Sequence, residues 1–107
     1  MADITVTELR ERIDQGNAPI MIDVREPFEW DMQHLPGVEK ISMGDIPGKL
    51  DEMADWKDKE VVLICRSGGR SGRITEFLKG SGFSGVRNLT GGMLAWKAEI
   101  DETFNVE

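Results

Sequence analysis

The chain has 107 residues, a single cysteine and 20 acidic against 13 basic side chains, a net charge of −7. That length suffices for one domain, expected over residues 1–107, that buries roughly 65% of the surface its unfolded chain exposes, so no disulfide or metal staple is required. The absence of a C-x-x-C or Cys/His cluster argues against a zinc site, and the absence of a Lys/Arg block or basic–aromatic interleaving argues against nucleic acid. With no leader-like start and no apolar run of bilayer length, a soluble cytoplasmic protein that does not engage membranes is expected.

In chain order, Ile4-Thr5-Val6 reads as a short strand, and Thr7 as the cap of a helix that carries Leu9 and Ile13 on one face and stops at Gly16. Residues 19–24 form an apolar run suited to a buried strand. Arg25-Glu26-Pro27 opens a short helix with Phe28 and Met32 on one face, since proline is tolerated in a first turn and Glu26 and Glu29 suit its positive end. His34-Leu35-Pro36-Gly37 is a turn, followed by a weak strand over residues 39–42. Ile46, Leu50 and Met53 suggest a helix that begins near Pro47 and closes around residues 56–58. The clearest strand spans residues 60–64; Ile74, Phe77 and Leu78 then line a helix that begins near Ser71 and is stopped by Gly80 and Gly82. Residues 86–89 form a further strand, Gly91-Gly92 leads into a helix with Leu94, Ala95 and Trp96, and residues 101–107 read as a fraying tail. Apolar strands alternating with helices imply an α/β fold, a parallel sheet covered on both faces with right-handed crossovers.

The segment Val61-Val62-Leu63-Ile64-Cys65-Arg66-Ser67-Gly68-Gly69-Arg70-Ser71 carries the chemistry. It sets the only cysteine where a strand ends and a glycine-bearing loop leads into a helix, the end of a parallel sheet at which ligands gather. Gly68 and Gly69 permit φ > 0, so successive backbone N–H groups can form a cradle around the sulfur. That cradle, the helix N-terminus and nearby Arg66, Arg70 and Arg73 would all lower the thiol pKa and attract a small anion to an otherwise acidic molecule.

Each of these residues has a plainer reading. Cys65 can simply end a core strand, because free cysteine is among the most buried residue types. Arg66 and Arg73 can be solvated charges. Asp23 and Arg25 occupy another strand end, where the carboxylate could accept N–H bonds from the cysteine loop or merely pair with Arg25 to organise the next helix. His34, the one histidine, suits a structural hydrogen bond better than general-base work, which argues against a Cys–His hydrolase. Gly91 and Gly92 suit a tight turn, and Trp30, Trp56 and Trp96 suit packing.

Four ordered motifs, Ile22-Asp23-Val24-Arg25-Glu26-Pro27, His34-Leu35-Pro36-Gly37, residues 62–71, and Asn88-Leu89-Thr90-Gly91-Gly92-Met93-Leu94-Ala95-Trp96, resemble those of a single-domain rhodanese over essentially the whole chain. The resemblance implies a rhodanese-like three-layer α/β/α fold with a five-stranded parallel sheet, and a sulfurtransferase that needs no cofactor or metal. By position it implies that Cys65 carries the sulfur as a persulfide, that Arg66, Ser67, Gly68, Gly69, Arg70 and Ser71 form the anion-binding loop, and that Asp23 and Arg25 support it. A small anionic sulfur donor such as thiosulfate and a thiophilic acceptor such as cyanide follow. Two motifs are also similar to rhodanese domains fused to adenylating enzymes, which implies a protein sulfur acceptor as an alternative to cyanide. Rhodanese-like domains also serve as non-enzymatic binding or regulatory modules, and retention of Cys65 argues against that alternative. Related cysteine-dependent phosphatases place five residues between cysteine and arginine, whereas Cys65 and Arg70 enclose four, a loop better suited to one sulfur atom than to a tetrahedral phosphoryl group.

Overall fold

The computed structural model describes residues 3–106. Thr5, not Thr7, caps the first helix, α1 (Val6–Asp14), its side chain accepting from the Glu8 N–H at 3.1 Å. Helical geometry therefore begins at Val6, and the strand expected over residues 4–6 shrinks to a single parallel bridge between Ile4 and Leu89. The remaining elements are β1 (Ile20–Asp23), α2 (Pro27–Met32), β2 (Glu39–Lys40), β3 (Val61–Ile64), α3 (Gly69–Gly80), β4 (Val86–Asn88) and α4 (Gly92–Glu99).

The strands pair in parallel in the order β2-β1-β3-β4. This is a correction to the expected five-stranded sheet: it has four strands, with Ile4 adding one bridge beyond β4. The helix expected from Ile46 to residues 56–58 also differs, being three short 3₁₀ turns, Met43–Asp45, Pro47–Lys49 and Ala54–Trp56. Pro47 and two glycines, Gly44 and Gly48, interrupt the segment, and its apolar side chains reach the core without a continuous helix. Ile46 and Met53 are buried there.

Alternate residues of the central strands feed opposite faces of the sheet. Met21, Val62 and Ile64 pack with Leu9 of α1 and with Met93 and Trp96 of α4. Ile22, Val61, Leu63 and Cys65 pack on the other side with Ile74 and Leu78 of α3 and with Ile46 and Met53 of the 3₁₀ segment. Both faces are covered, which is why β3 is apolar throughout and buried at all four positions. Residues 101–106 do not fray: Phe104 is buried against the α1/α4 layer, and the Asn105 N–H donates to Gln33 Oε1 at 2.8 Å. Residue 107 lies outside the described residues.

Candidate active site

Cys65 directly follows β3, and the chain turns at Gly68 (φ +97°) into α3. Gly69, expected to share the positive φ, is instead the first residue of the helix with ordinary backbone angles. The curl brings the Gly68 N–H to 3.0 Å and the Ser71 Oγ to 3.2 Å from Cys65 Sγ. The sulfur therefore faces the loop, although the residue is fully covered at 0% exposure. Burial pushes the thiol up. Hydrogen bonds from the Ser71 hydroxyl and from the backbone N–H groups of Ser71, Gly68 and Ser67 outweigh it, and the thiol lies below its ordinary value.

Sequence reading missed the parts that hold this curl, which come from the neighbouring strand β4 and from α4. Asn88, at the end of β4, donates from Nδ2 to the Gly68 carbonyl at 3.1 Å and accepts at Oδ1 from the Ser71 hydroxyl at 2.5 Å. One amide thus braces both groups that touch Sγ. Gly92 does more than turn the chain. The first N–H groups of α4 reach back to the loop, Met93 N–H to the Cys65 carbonyl and Leu94 N–H to the Arg66 carbonyl, each at 2.9 Å. A Cβ on Gly92 would fall 2.4 Å from the Cys65 carbonyl oxygen and 2.7 Å from that of Arg66. The signal available in sequence was the Asn88-to-Gly92 motif itself, whose side-chain and backbone partners lie far away along the chain.

Arg70 lies in the first turn of α3, and its guanidinium is held in a two-pronged ion pair by Glu29 of α2, at 2.7 and 2.9 Å. The bond to Arg70 draws the Glu29 carboxyl below the usual carboxylate range, and the same bond raises Arg70. Glu29 is oriented in turn by the Glu26 N–H at 3.1 Å, within a capping box that opens α2. Arg66 and Ser67 are exposed at the mouth of the loop, and Arg73 is exposed on α3.

Asp23 and Arg25 are buried, and they pair with each other. The Asp23 carboxylate accepts from the Arg25 side chain at 2.8 to 3.1 Å and from its backbone N–H at 3.1 Å. Arg25 also donates to the Gln33 carbonyl at 2.8 Å, and its own carbonyl accepts from the Ser42 hydroxyl at 3.1 Å. The pair therefore organises the connection from β1 through α2, which is the second of its two readings. His34 stacks on Trp30 with ring centroids 3.6 Å apart and hydrogen-bonds through Nδ1 to the Trp30 carbonyl at 2.9 Å, a structural arrangement remote from Sγ bonding. Beside the loop opens a cavity of about 350 Å³, lined by Arg25 and Arg66, by Phe28, Glu29 and Met32 of α2, and by Asn105 and Val106.

The fold and site are those of a parallel α/β domain with a strand-end cysteine whose sulfur accepts hydrogen bonds from the loop that follows it. The chain belongs to the rhodanese-like family: the rhodanese-like domain model matches residues 5–99. It is 42% identical over 97 residues to the putative sulfurtransferase YtwF of Bacillus subtilis, covering 91% of each chain. It is 36% identical over 102 residues to the probable adenylyltransferase/sulfurtransferase MoeZ of Mycobacterium tuberculosis, covering 91% of this chain but 25% of that protein. In structure it resembles SSP1007 of Staphylococcus saprophyticus, with a TM-score of 0.82 at 37% identity over 94% of this chain and 97% of the other.

Proposed function

We propose that this protein is a sulfurtransferase that carries sulfane sulfur on Cys65. The Cys65 thiolate attacks the outer sulfur of a donor, thiosulfate in an assay. A new S–S bond forms to Cys65, the donor S–S bond breaks, and sulfite leaves with its electron pair. An acceptor then attacks the outer sulfur of the Cys65 persulfide; with cyanide, thiocyanate forms and the thiolate is regenerated. Each stage places negative charge on sulfur inside the loop, where oriented N–H dipoles act without needing to reorganise. The single observation that carries this reading is the convergence of the Gly68 N–H and the Ser71 hydroxyl on Sγ, at 3.0 and 3.2 Å. Family membership supports it, and so do the names of the relatives. The likeness to an adenylyltransferase/sulfurtransferase adds a protein as a second class of acceptor.

The test is intact-mass spectrometry after incubation with thiosulfate. One added sulfur is expected on the wild type and none on Cys65→Ser. A wild type that stays unmodified and turns over no donor, while binding a partner stoichiometrically, would replace this reading with that of a binding module.

A further inference from the structure

Three arginines near the cysteine, Arg66, Arg70 and Arg73, promise a site tuned for highly charged anions, yet a carboxylate on α2 offsets the charge of Arg70, the one of the three in the first turn of α3. Both oxygens of Glu29 accept from the Arg70 guanidinium, and the buried Arg25 guanidinium is paired with Asp23. The Glu29 side chain is 13% exposed and is fixed from its other side by the Glu26 N–H, so it is a built-in counter-charge rather than a passing surface contact. Glu29 also lines the cavity beside the loop, together with Arg25, Arg66 and Asn105, and the apolar part of that lining is Phe28, Met32 and Val106. Phe28 is 64% exposed, the most open large apolar side chain among the described residues.

From this we infer that Glu29 is a specificity-determining residue that disfavours dianionic sulfur donors and favours monoanionic donors with an organic body, which rests on Phe28 and Met32. The inference rests on the sulfur-carrying reading of Cys65. Attack of the Cys65 thiolate on thiosulfate gathers three negative charges at the loop, and all three persist in the persulfide and the departing sulfite. A monoanionic thiosulfonate, R–SO₂–S⁻, undergoes the same exchange with two: its S–S bond breaks, the sulfinate leaves with the electron pair, and the outer sulfur stays on Cys65. A fixed carboxylate at the mouth opposes the first more than the second, and an aromatic R group gains apolar contact that thiosulfate cannot make.

The experiment compares thiosulfate with benzenethiosulfonate, cyanide being the acceptor for both, at fixed ionic strength. Wild type should prefer benzenethiosulfonate in kcat/KM. Glu29→Gln can keep one of the two hydrogen bonds to Arg70 through its amide oxygen but removes the charge, and should raise kcat/KM for thiosulfate about three- to tenfold relative to benzenethiosulfonate, less so at high salt. Phe28→Ala, at a helix with no buried residue, should lower kcat/KM for benzenethiosulfonate severalfold relative to that for thiosulfate; it decides the matter should Glu29→Gln fail to fold. Turnover of both donors with a ratio that neither variant moves would overturn the role of Glu29 and its cavity while leaving the sulfur-carrying reading intact. Absence of turnover and of any Cys65 adduct with both donors would overturn both.

Discussion

The Ser71 hydroxyl, in the first turn of α3, meets Cys65 Sγ at 3.2 Å from six residues along the chain. That hydroxyl has a single proton and two claimants, Sγ and Asn88 Oδ1. When the thiol is neutral the hydroxyl can donate to Asn88 Oδ1, and when the thiol ionises it is positioned to donate to the sulfur.

Ser71→Ala removes this donor, so the thiol should titrate at higher pH than in the wild type, because a hydrogen bond that favours the charged form is lost. The rate of alkylation of Cys65 against pH reads the shift directly. The change also strips Asn88 Oδ1 of its partner, at a cost of about 1–3 kcal/mol in urea unfolding. Ser71→Thr, which keeps the hydroxyl, should restore the profile. An alanine profile superimposable on the wild type would remove Ser71 from the thiol's environment.

Gly92 and Gly69 should behave oppositely despite their similar places at the starts of α4 and α3. Gly92→Ala must push a Cβ into the Cys65 and Arg66 carbonyls at a backbone angle, φ +57°, that L-residues avoid. A loss of at least roughly 1–3 kcal/mol is expected together with a fall in sulfur transfer, as the loop shifts away from α4. Gly69→Ala meets nothing within 4 Å and sits in helical geometry, so it should be neutral or add about 0.4–1 kcal/mol by restricting the unfolded chain. Paired denaturation curves decide it, and equal losses at both sites would contradict the close-approach argument.

Asp23→Ala should cost about 3–5 kcal/mol, because it leaves the buried Arg25 guanidinium without its carboxylate. The chemistry at Cys65 should suffer only to the extent that the fold does. At a temperature where the variant remains folded, retention of most of the kcat is expected. A large selective loss of kcat in a fully folded variant would instead place the pair in the machinery of transfer.

Glu29 sets part of the acid limb of stability. Its folded carboxyl titrates below its ordinary value of 4.5 because Arg70 holds the charged form, so the unfolded chain binds this proton more readily. The stabilisation is complete above the unfolded value and is lost as pH falls through the folded one. Glu29→Gln should therefore flatten the decline in unfolding free energy below about pH 4.5 relative to the wild type. Parallel curves for the two proteins across that range would show that the ion pair contributes nothing to folding.

Much of this protein was legible along the chain. Residues 61–64 announce a buried parallel strand because apolar side chains on both faces have no other stable place, and Cys65 at its end followed by Gly68 announces a turn into a helix. Asp23 with Arg25, two residues apart, were readable as a mutual pair. Less legible were the boundaries: Thr5 and Thr7 both have the chemistry of a cap, and only the packing of Val6 and Leu9 against the sheet selects Thr5. Pro47 with Gly44 and Gly48 broke a helical spacing that the apolar residues alone suggested.

Sequence by itself determined the class of fold, the family and the residue around which the chemistry is proposed to turn, since strand-end position, apolar periodicity and ordered motifs are local properties. Only the tertiary structure decided what surrounds that residue. Asn88 on β4, Gly92 on α4 and Glu29 on α2 reach the loop through contacts between segments 20 to 41 residues apart, and no local pattern records which carboxylate will neutralise Arg70 or which amide will brace Ser71. Electrostatics and close approach act through space, so the charge at the mouth of the loop is set by neighbours in the fold such as Glu29 as well as by the arginines that stand beside the cysteine in the chain.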